Sequence, residues 1–517
     1  MRKVLLAFVA FLLLIPLQSF AEEDDIRKKL ESLQQEIEAL QKQVQELEKE
    51  KAAAPVAPEA AAVEEPPAEK TAAVAPWLEL GGDFRFRYDY LKGEVPAFTQ
   101  FGGFDEEGSP IFIPVPKHDV KNSDLLTNRF GLNLKAKATE DVQVKARLLM
   151  YKVWGHGTDD PATDMFFADR VGVFDGTVGH VPQDNTLRVD YAYATWSNVF
   201  GAPAWFSIGR RPSTGGVPGN IRQNAEKMGT AGIPNILVDY AFDGLSIGYA
   251  PYIESLPGAY AKFCYGKGFD PGFESDLDAE DIDDVHFAGL NIVPYDTENL
   301  HVEVQWNRGI DIFDSTPDEI GLGPVTTNLG DIDWLGGVVM GRVLGNLNLF
   351  ASAAISKTHP ENFNAMGISL LESCDPITGC AKDSHTGYGV YVGARYDILS
   401  TGTKIGAEYN HGSENWISMI PAGDDIWTSK LGTRGNVYEV YVIQELLKKP
   451  ISKNGKAFFR LGYQYYNFEF TGSNSWLGKP TDIDDLTDDP MTGPLNAQFF
   501  TPIESAHDVY LTFDVQF

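Results

Sequence analysis

The last ten residues of the chain read Asp508-Val-Tyr-Leu-Thr-Phe-Asp-Val-Gln-Phe517. Successive side chains of an extended strand point to opposite sides, so one face of this stretch is apolar and the other polar. The apolar face consists of Val509, Leu511, Phe513, Val515 and Phe517. A tilted membrane-crossing strand needs roughly 9–11 residues, which is the length of this stretch. The pattern therefore predicts a strand with lipid on one side and water on the other, although a strand of a soluble sandwich has the same alternation.

The same alternation begins at Trp77. One face of this segment carries aromatic residues, and the other carries Asp83, Arg85, Arg87 and Asp89. Four charges on one face do not suit a buried sheet. We expect these side chains to face a water-filled lumen.

A hairpin with a tight turn at residues 139–141 follows a long polar segment. Its inward positions carry charge in both strands, and its outward positions are apolar. The charged inward residues are Arg129, Lys135, Lys137, Lys145 and Arg147.

Alternating short turns and long loops continue to the end of the chain. The sequence predicts an all-β transmembrane barrel of about sixteen antiparallel strands, with both ends on the same side. Asp243-Gly244 is interpreted as one of the short turns. The predicted strands are 77–90, 129–138, 142–150, 187–197, 204–211, 236–242, 245–250, 284–293, 300–308, 332–343, 347–356, 388–397, 404–410, 436–446, 456–468 and 506–517.

Three segments precede the barrel, which is predicted to span 77–517. Residues 1–21 have a basic start, an apolar core and a small-x-small cleavage site, which predicts a signal peptide. Residues 52–76 are rich in Ala, Pro and Glu and predict a disordered linker. Residues 22–51 predict a coiled coil; the alternative is a single amphipathic helix packed on the barrel. Its seam is Ile26, Leu30, Leu33, Ile37, Leu40, Val44 and Leu47, which does not decide between dimer and trimer.

Composition excludes several classes of function. The net charge of −31 argues against a nucleic-acid partner. After the leader no apolar run is long enough for a transmembrane helix. The sequence contains no catalytic, dinucleotide-binding or metal-ligating motif and no haem-attachment motif. We expect neither enzymatic activity nor a cofactor.

These features together resemble the bacterial outer-membrane porins of the 16-stranded type, and in particular proteobacterial channels with an N-terminal coiled coil. In that family, a terminal aromatic strand such as that carrying Phe513, Val515 and Phe517 is read as the membrane-insertion signal. The resemblance implies the outer membrane of a Gram-negative bacterium, with the coiled coil in the periplasm. It also implies a homotrimer that contacts lipid and lipopolysaccharide and passes small hydrophilic solutes by passive diffusion.

The resemblance is most specific at two stretches, Leu187 to Trp196 and Phe206-Ser-Ile-Gly-Arg-Arg211. They are similar to the strands that lead into the third external loop of porins, which folds into the barrel and narrows it. The resemblance implies that Arg211, Arg222 and Lys227 lie at this constriction. The acidic side of such a constriction is not obvious in this loop.

The predicted inward residues of the first three strands form a basic wall: Arg85, Arg87, Arg129, Lys135, Lys137, Lys145 and Arg147. Fixed cationic charge in a narrow pore attracts anions, which predicts an anion-preferring channel. The alternative is that inward carboxylates neutralise the wall. Those available are Asp83, Asp89, Asp190 and Glu303.

The 3 cysteines indicate one more feature. Cys374 and Cys380 lie in one predicted loop of an exported protein, which predicts a disulfide between them and a free Cys264. A second function stays open from sequence. The barrel could be a sleeve for a periplasmic partner such as a multihaem cytochrome that carries electrons across the outer membrane.

Overall fold

The structure is a computed structural model that describes residues 77–104, 110–155, 181–270, 272, 282–314, 327–374, 379–420, 424–448, 450–452, 455–489 and 501–517. The predicted signal peptide, coiled coil and linker lie outside these residues and stay predictions. In the described part of the chain, no helix is long and apolar enough to span a membrane.

Sixteen antiparallel strands form a closed barrel, as the sequence predicts. Two small hairpins, β2–β3 and β14–β15, lie in the connections between barrel strands. The strands are β1 (Leu78–Val95), β2 (Phe98–Phe104), β3 (Pro110–Val115), β4 (His118–Lys137), β5 (Val142–Val153), β6 (Arg188–Ser197), β7 (Ala204–Ser213), β8 (Tyr240–Tyr249), β9 (Tyr260–Phe269), β10 (Val285–Asp296), β11 (Leu300–Phe313), β12 (Asn328–Val343), β13 (Leu347–Pro360), β14 (Ile368–Ser369), β15 (Glu372–Ser373), β16 (Thr386–Ile398), β17 (Thr403–Gly412), β18 (Gly435–Glu445), β19 (Lys456–Phe468) and β20 (Ser505–Gln516).

The barrel has two different ends. Connections of at most ten residues lie at one end, here called the turn end, together with the start of β1 and the end of β20. The longer connections lie at the opposite end, here called the loop end.

The barrel closes where β1 pairs with β20, with Phe84 opposite Val515. Beyond the last paired residues, Gly82 and Phe517 exchange two backbone hydrogen bonds of 2.9 Å. A side chain at Gly82 would collide with the Phe517 ring, because a Cβ there would lie 2.7 Å from its Cζ atom. The terminal stretch thus alternates as predicted, with Val509, Leu511 and Phe517 facing outwards and Asp508, Tyr510 and Thr512 buried inside.

Two of the predicted strand assignments are wrong, and their errors cancel in the count. Asp243-Gly244 is not a turn but lies inside one continuous strand, β8. The following strand, β9, lies within residues 251–283, which the sequence predicts as a loop, although Phe263 and Tyr265 face outwards in alternation with inward Lys262. Two lysines and two glycines interrupt the apolar pattern of β9, so its alternation does not stand out in the sequence.

Gly244 has a packing role rather than a turn role. It lies opposite Gly209 on β7 and Gly266 on β9, so three glycines form a row across three strands. A Cβ at Gly244 would lie 2.0 Å from the backbone oxygen of Tyr265. Close backbone approach therefore explains an Asp-Gly pair that otherwise indicates a hairpin.

Candidate functional site

The loop-end half of the barrel interior is filled by four of the long connections, whose described residues we call the plug: 214–239, 361–374 with 379–385, 413–420 with 424–434, and 469–489. Plug side chains and inward side chains of the strands form one apolar core. Its plug members include Ile221, Ile236, Leu237, Leu370, Leu371, Trp416, Ile417, Met419, Leu431 and Trp476. Its strand members include Tyr240, Phe287, Ile332, Trp334, Phe350 and Tyr391. Burial of large apolar side chains stabilises this packing by about 1.5–3 kcal/mol each.

Backbone hydrogen bonds join the plug segments to one another. Met419 donates to the carbonyl of Leu237 at 2.9 Å, and Asp239 donates to that of Met419 at 2.8 Å. Leu371 likewise donates to the carbonyl of Trp476 at 2.8 Å. The buried backbone of these connections is thus paired between segments, as a chain segment inside a barrel requires.

Arg434 is fully buried in the plug. Its guanidinium donates to the carbonyl oxygens of Trp416, Thr471 and Ser475 at 3.1, 2.9 and 2.6 Å. One side chain therefore fixes the 413–434 connection to the 469–489 segment. Sequence reasoning did not single out Arg434, because its partners are carbonyls from distant parts of the chain.

A charged layer lies on the turn-end side of the apolar core. Arg222 ends a short helix, α1 (Gly219–Arg222), and pairs with Asp425 at 2.6 Å and Glu439 at 2.9 Å. Lys430 pairs with Glu439 at 2.6 Å and with Glu408 at 2.5 Å. Asp425 and Glu439, the acidic partners of Arg222, both lie outside the 214–239 connection.

The three residues predicted at a constriction are not brought together. Arg222 lies in the charged layer, whereas Arg211 is on β7 with its guanidinium carbon 5.4 Å from the Tyr193 ring centroid. Lys227 pairs with Asp296. The 214–239 connection does enter the barrel, but Arg211, Arg222 and Lys227 lie at three separate places and have different partners.

Most of the predicted basic wall points inwards and is paired with carboxylates. Arg87 pairs with Asp89 at 2.6 Å and Asp508 at 3.0 Å. Arg147 pairs with Asp83 at 2.7 Å and Asp190 at 3.3 Å. Arg87 and Arg147 are thus neutralised by inward carboxylates, which is the alternative that the sequence left open.

Glu303, the fourth carboxylate considered from sequence, pairs with His301 instead, at 3.0 Å. Nearer the turn end, Lys135 lies 3.3 Å from Glu79. Lys137 is exposed at the end of β4.

A cavity of about 1130 Å³ occupies the turn-end half of the interior. Its lining combines both signs of charge and includes residues of the 446–455 connection at the turn end. Basic lining residues are Arg85, Arg129, Lys135, Lys145, Lys448, Lys456 and Arg460. Acidic lining residues are Glu79, Asp83, Glu226, Glu445 and Asp514.

Asp424, on the 413–434 connection, lies where the plug meets this cavity. Its carboxylate pairs with Arg85 and lies 3.6 Å from both Arg129 and Arg460. Arg87 donates to its backbone carbonyl at 2.9 Å. Burial alone would raise the pKa of the Asp424 carboxyl, but Arg85, with Arg129 and Arg87, holds that pKa well below its usual range. The carboxylate is therefore ionised at neutral pH.

Cys374 and Cys380 form a disulfide in the 361–385 connection, and Cys264 is free on β9. In the described residues, no group of three or more His, Cys, Asp or Glu side chains is arranged to hold a metal ion.

Comparison with known proteins places the chain in a family. The family model described as a protein of unknown function (DUF3373) matches residues 119–517, from the second residue of β4 to the end of the chain. The chain belongs to this family. Among curated proteins no match was found.

Solved structures similar to this chain include two outer-membrane proteins. One is in-vitro folded OmpT of Vibrio cholerae in its trimer form, with 11% identity, 85% of this chain and 99% of that chain covered, and a TM-score of 0.39. The other is OmpF of Salmonella typhi in complex with daunomycin, with 10% identity, 84% and 97% coverage and a TM-score of 0.39. Similarity at this level carries no argument about function, and the fold described above rests on the pairing of the chain's own strands.

Proposed function

We propose that this protein is an outer-membrane channel for small hydrophilic solutes, closed at the loop end by its own plug. The observation that carries the proposal is two belts of exposed aromatic residues on the outside of the barrel. Such belts mark the two interfaces of a membrane-spanning barrel. The turn-end belt is Trp77, Trp196, Tyr249, Tyr396, Phe459 and Phe517. The loop-end belt is Trp154, Tyr265, Tyr388, Tyr438 and Tyr463.

Exposed aliphatic side chains between the belts support the same placement, among them Leu290, Val304, Leu335 and Val440. Inside, the charged cavity is a polar space that water and small solutes can enter from the turn end. Passage to the loop end requires the plug to move. We therefore expect small or rare openings rather than the steady conductance of an unobstructed pore.

The sleeve function has no observation in its favour in the described part of the chain. A protein partner would need the loop-end half of the lumen, which the apolar core of the plug occupies. The homotrimer, the periplasmic coiled coil and the contacts with lipopolysaccharide remain proposals that rest on the sequence.

Planar-bilayer recordings of refolded protein test the proposal. Trp416 is fully buried in the plug, and its indole nitrogen donates to the Leu431 carbonyl at 2.7 Å. Trp416→Ala should open the plug more often, because a buried Trp→Ala change costs about 3–5 kcal/mol of packing. Trp154→Ala removes an indole from the outer surface and is the matched control.

We expect small, infrequent openings in the unaltered protein and in Trp154→Ala, and larger or more frequent openings in Trp416→Ala. Silence in all three proteins would count against a channel. Large steady openings of the unaltered protein would show that the plug does not close the pore.

A further inference from the structure

We propose that Arg85, Arg129 and Arg460 form a binding site for the carboxylate group of a small solute, and that Asp424 occupies this site as a ligand built into the chain. The inference rests on the proposed channel function, since it assigns a substrate class to that channel. Small organic acids are the predicted substrates.

The three arginines come from the wall, whereas the carboxylate comes from the plug. Arg85 is on β1, Arg129 on β4 and Arg460 on β19. Asp424 is held by Arg85 through both of its carboxylate oxygens. The planar guanidinium matches the two oxygens of a carboxylate, which is the geometry seen here. The arginine cluster therefore has the geometry that binds a carboxylate, and the Asp424 carboxylate occupies it.

One carboxylate does not satisfy three guanidinium groups. The Nε atoms of Arg85, Arg129 and Arg460 are all buried and form no hydrogen bond within the described residues. Arg85 and Arg460 are only 2% and 1% exposed. Unused donors on buried cations are costly, and they indicate that the site can take more acceptor atoms than Asp424 provides.

Two other carboxylates lie nearby but are engaged elsewhere. Asp83 lies 3.8 Å from Arg129, yet its shorter contact is with Arg147 at 2.7 Å. Asp514 accepts a hydrogen bond from Thr512 at 2.5 Å. Neither carboxylate replaces Asp424 between the three arginines.

The site is within reach of a solute, because all three arginines line the turn-end cavity. A solute carboxylate would have to displace the Asp424 carboxylate, and its release would remove one of the contacts that hold the 413–434 connection to the wall, where Lys430 still pairs with Glu408 and Glu439. Binding of the solute would thus weaken the attachment of the plug to the wall. A tethered competitor acts at an effective concentration in the mM range, so the unaltered protein should bind carboxylates weakly.

The test is calorimetric titration of refolded full-length protein in detergent with malonate. Asp424→Asn removes the competing charge and suits the positive φ of 72° at this position. Glu226→Gln is the charge-matched control, because Glu226 lines the same cavity but makes no ion pair with the three arginines in the described residues. We expect malonate to bind Asp424→Asn at least about tenfold more tightly than the unaltered protein, and Glu226→Gln to show no such gain.

Adding Arg129→Gln to Asp424→Asn should abolish the gain. Equal affinities of the unaltered protein and Asp424→Asn would overturn the inference, as would an equal gain in Glu226→Gln. Inorganic phosphate binding as tightly as malonate would overturn the assignment to carboxylates. Calorimetry does not depend on conduction, so a silent bilayer would contradict the channel while leaving the binding result interpretable.

Discussion

Arg87 on the first barrel strand donates from Nη2 to Asp508 on the last strand at 3.0 Å, and both side chains are fully buried. The Arg87 guanidinium also lies 4.7 Å from the Tyr510 ring centroid and pairs with Asp89. The strand pair that closes the barrel is thus joined inside by an ion-pair cluster, in addition to its backbone hydrogen bonds.

Arg87→Ala should destabilise the barrel strongly, because it leaves Asp89 and Asp508 buried without their cation. Removing one partner of a buried pair costs about 3–5 kcal/mol. Urea unfolding of the refolded protein, followed by tryptophan fluorescence, measures the loss.

Arg342→Ala is the control for the Arg87 change. Arg342 pairs with Glu298 on the surface, where the two side chains are 39% and 84% exposed. Its loss should cost less than about 1 kcal/mol. Similar losses for the two variants would contradict the role assigned to the Arg87 cluster.

Lys135→Glu combined with Lys145→Glu should shift the channel towards cations. Both lysines line the cavity. Replacing each Lys by Glu changes the charge at that position by two, so the net charge of the cavity lining becomes more negative by four elementary charges. The measurement is the reversal potential in a salt gradient.

Lys137→Glu, which changes the exposed end of β4, should have a much smaller effect. An unchanged reversal potential in the double variant would defeat the prediction of an anion preference. An equal shift with Lys137→Glu would show that the cavity is not where the selectivity arises.

Gly244→Ala should destabilise the protein by about 1–3 kcal/mol, because the added methyl would overlap the backbone of β9. Gly341→Ala is the control, since its Cβ would make only an ordinary contact of 3.4 Å. The two variants are compared by heating samples to increasing temperatures and measuring on gels the fraction of barrel that has unfolded. If Gly244→Ala were as stable as the control, the close packing of β7, β8 and β9 would be contradicted.

Much of the barrel was predictable because strand alternation is a local property. Arg85 and Arg87 could be placed inwards from their immediate neighbours in sequence, and so could Asp508. The Asp243-Gly244 error arose because a glycine required by close strand packing has the same local pattern as a turn. The conformation of residues 240–269 depends on neighbouring strands that a local pattern does not contain.

The sequence by itself determined the outward-facing residues of most strands and the pairing of the last strand with the first, whereas the predicted count of sixteen strands is correct only because two errors cancel. The outward facing and the pairing follow from the two-residue period of a strand and from the need to close the sheet. Only the tertiary structure decided what fills the barrel. Asp424 and Arg85 lie 339 positions apart, and no local pattern predicts that a carboxylate from a long connection occupies an arginine cluster on the wall. Contacts between such distant residues form only when the barrel has placed them together, so the plug and its carboxylate are properties of the folded chain.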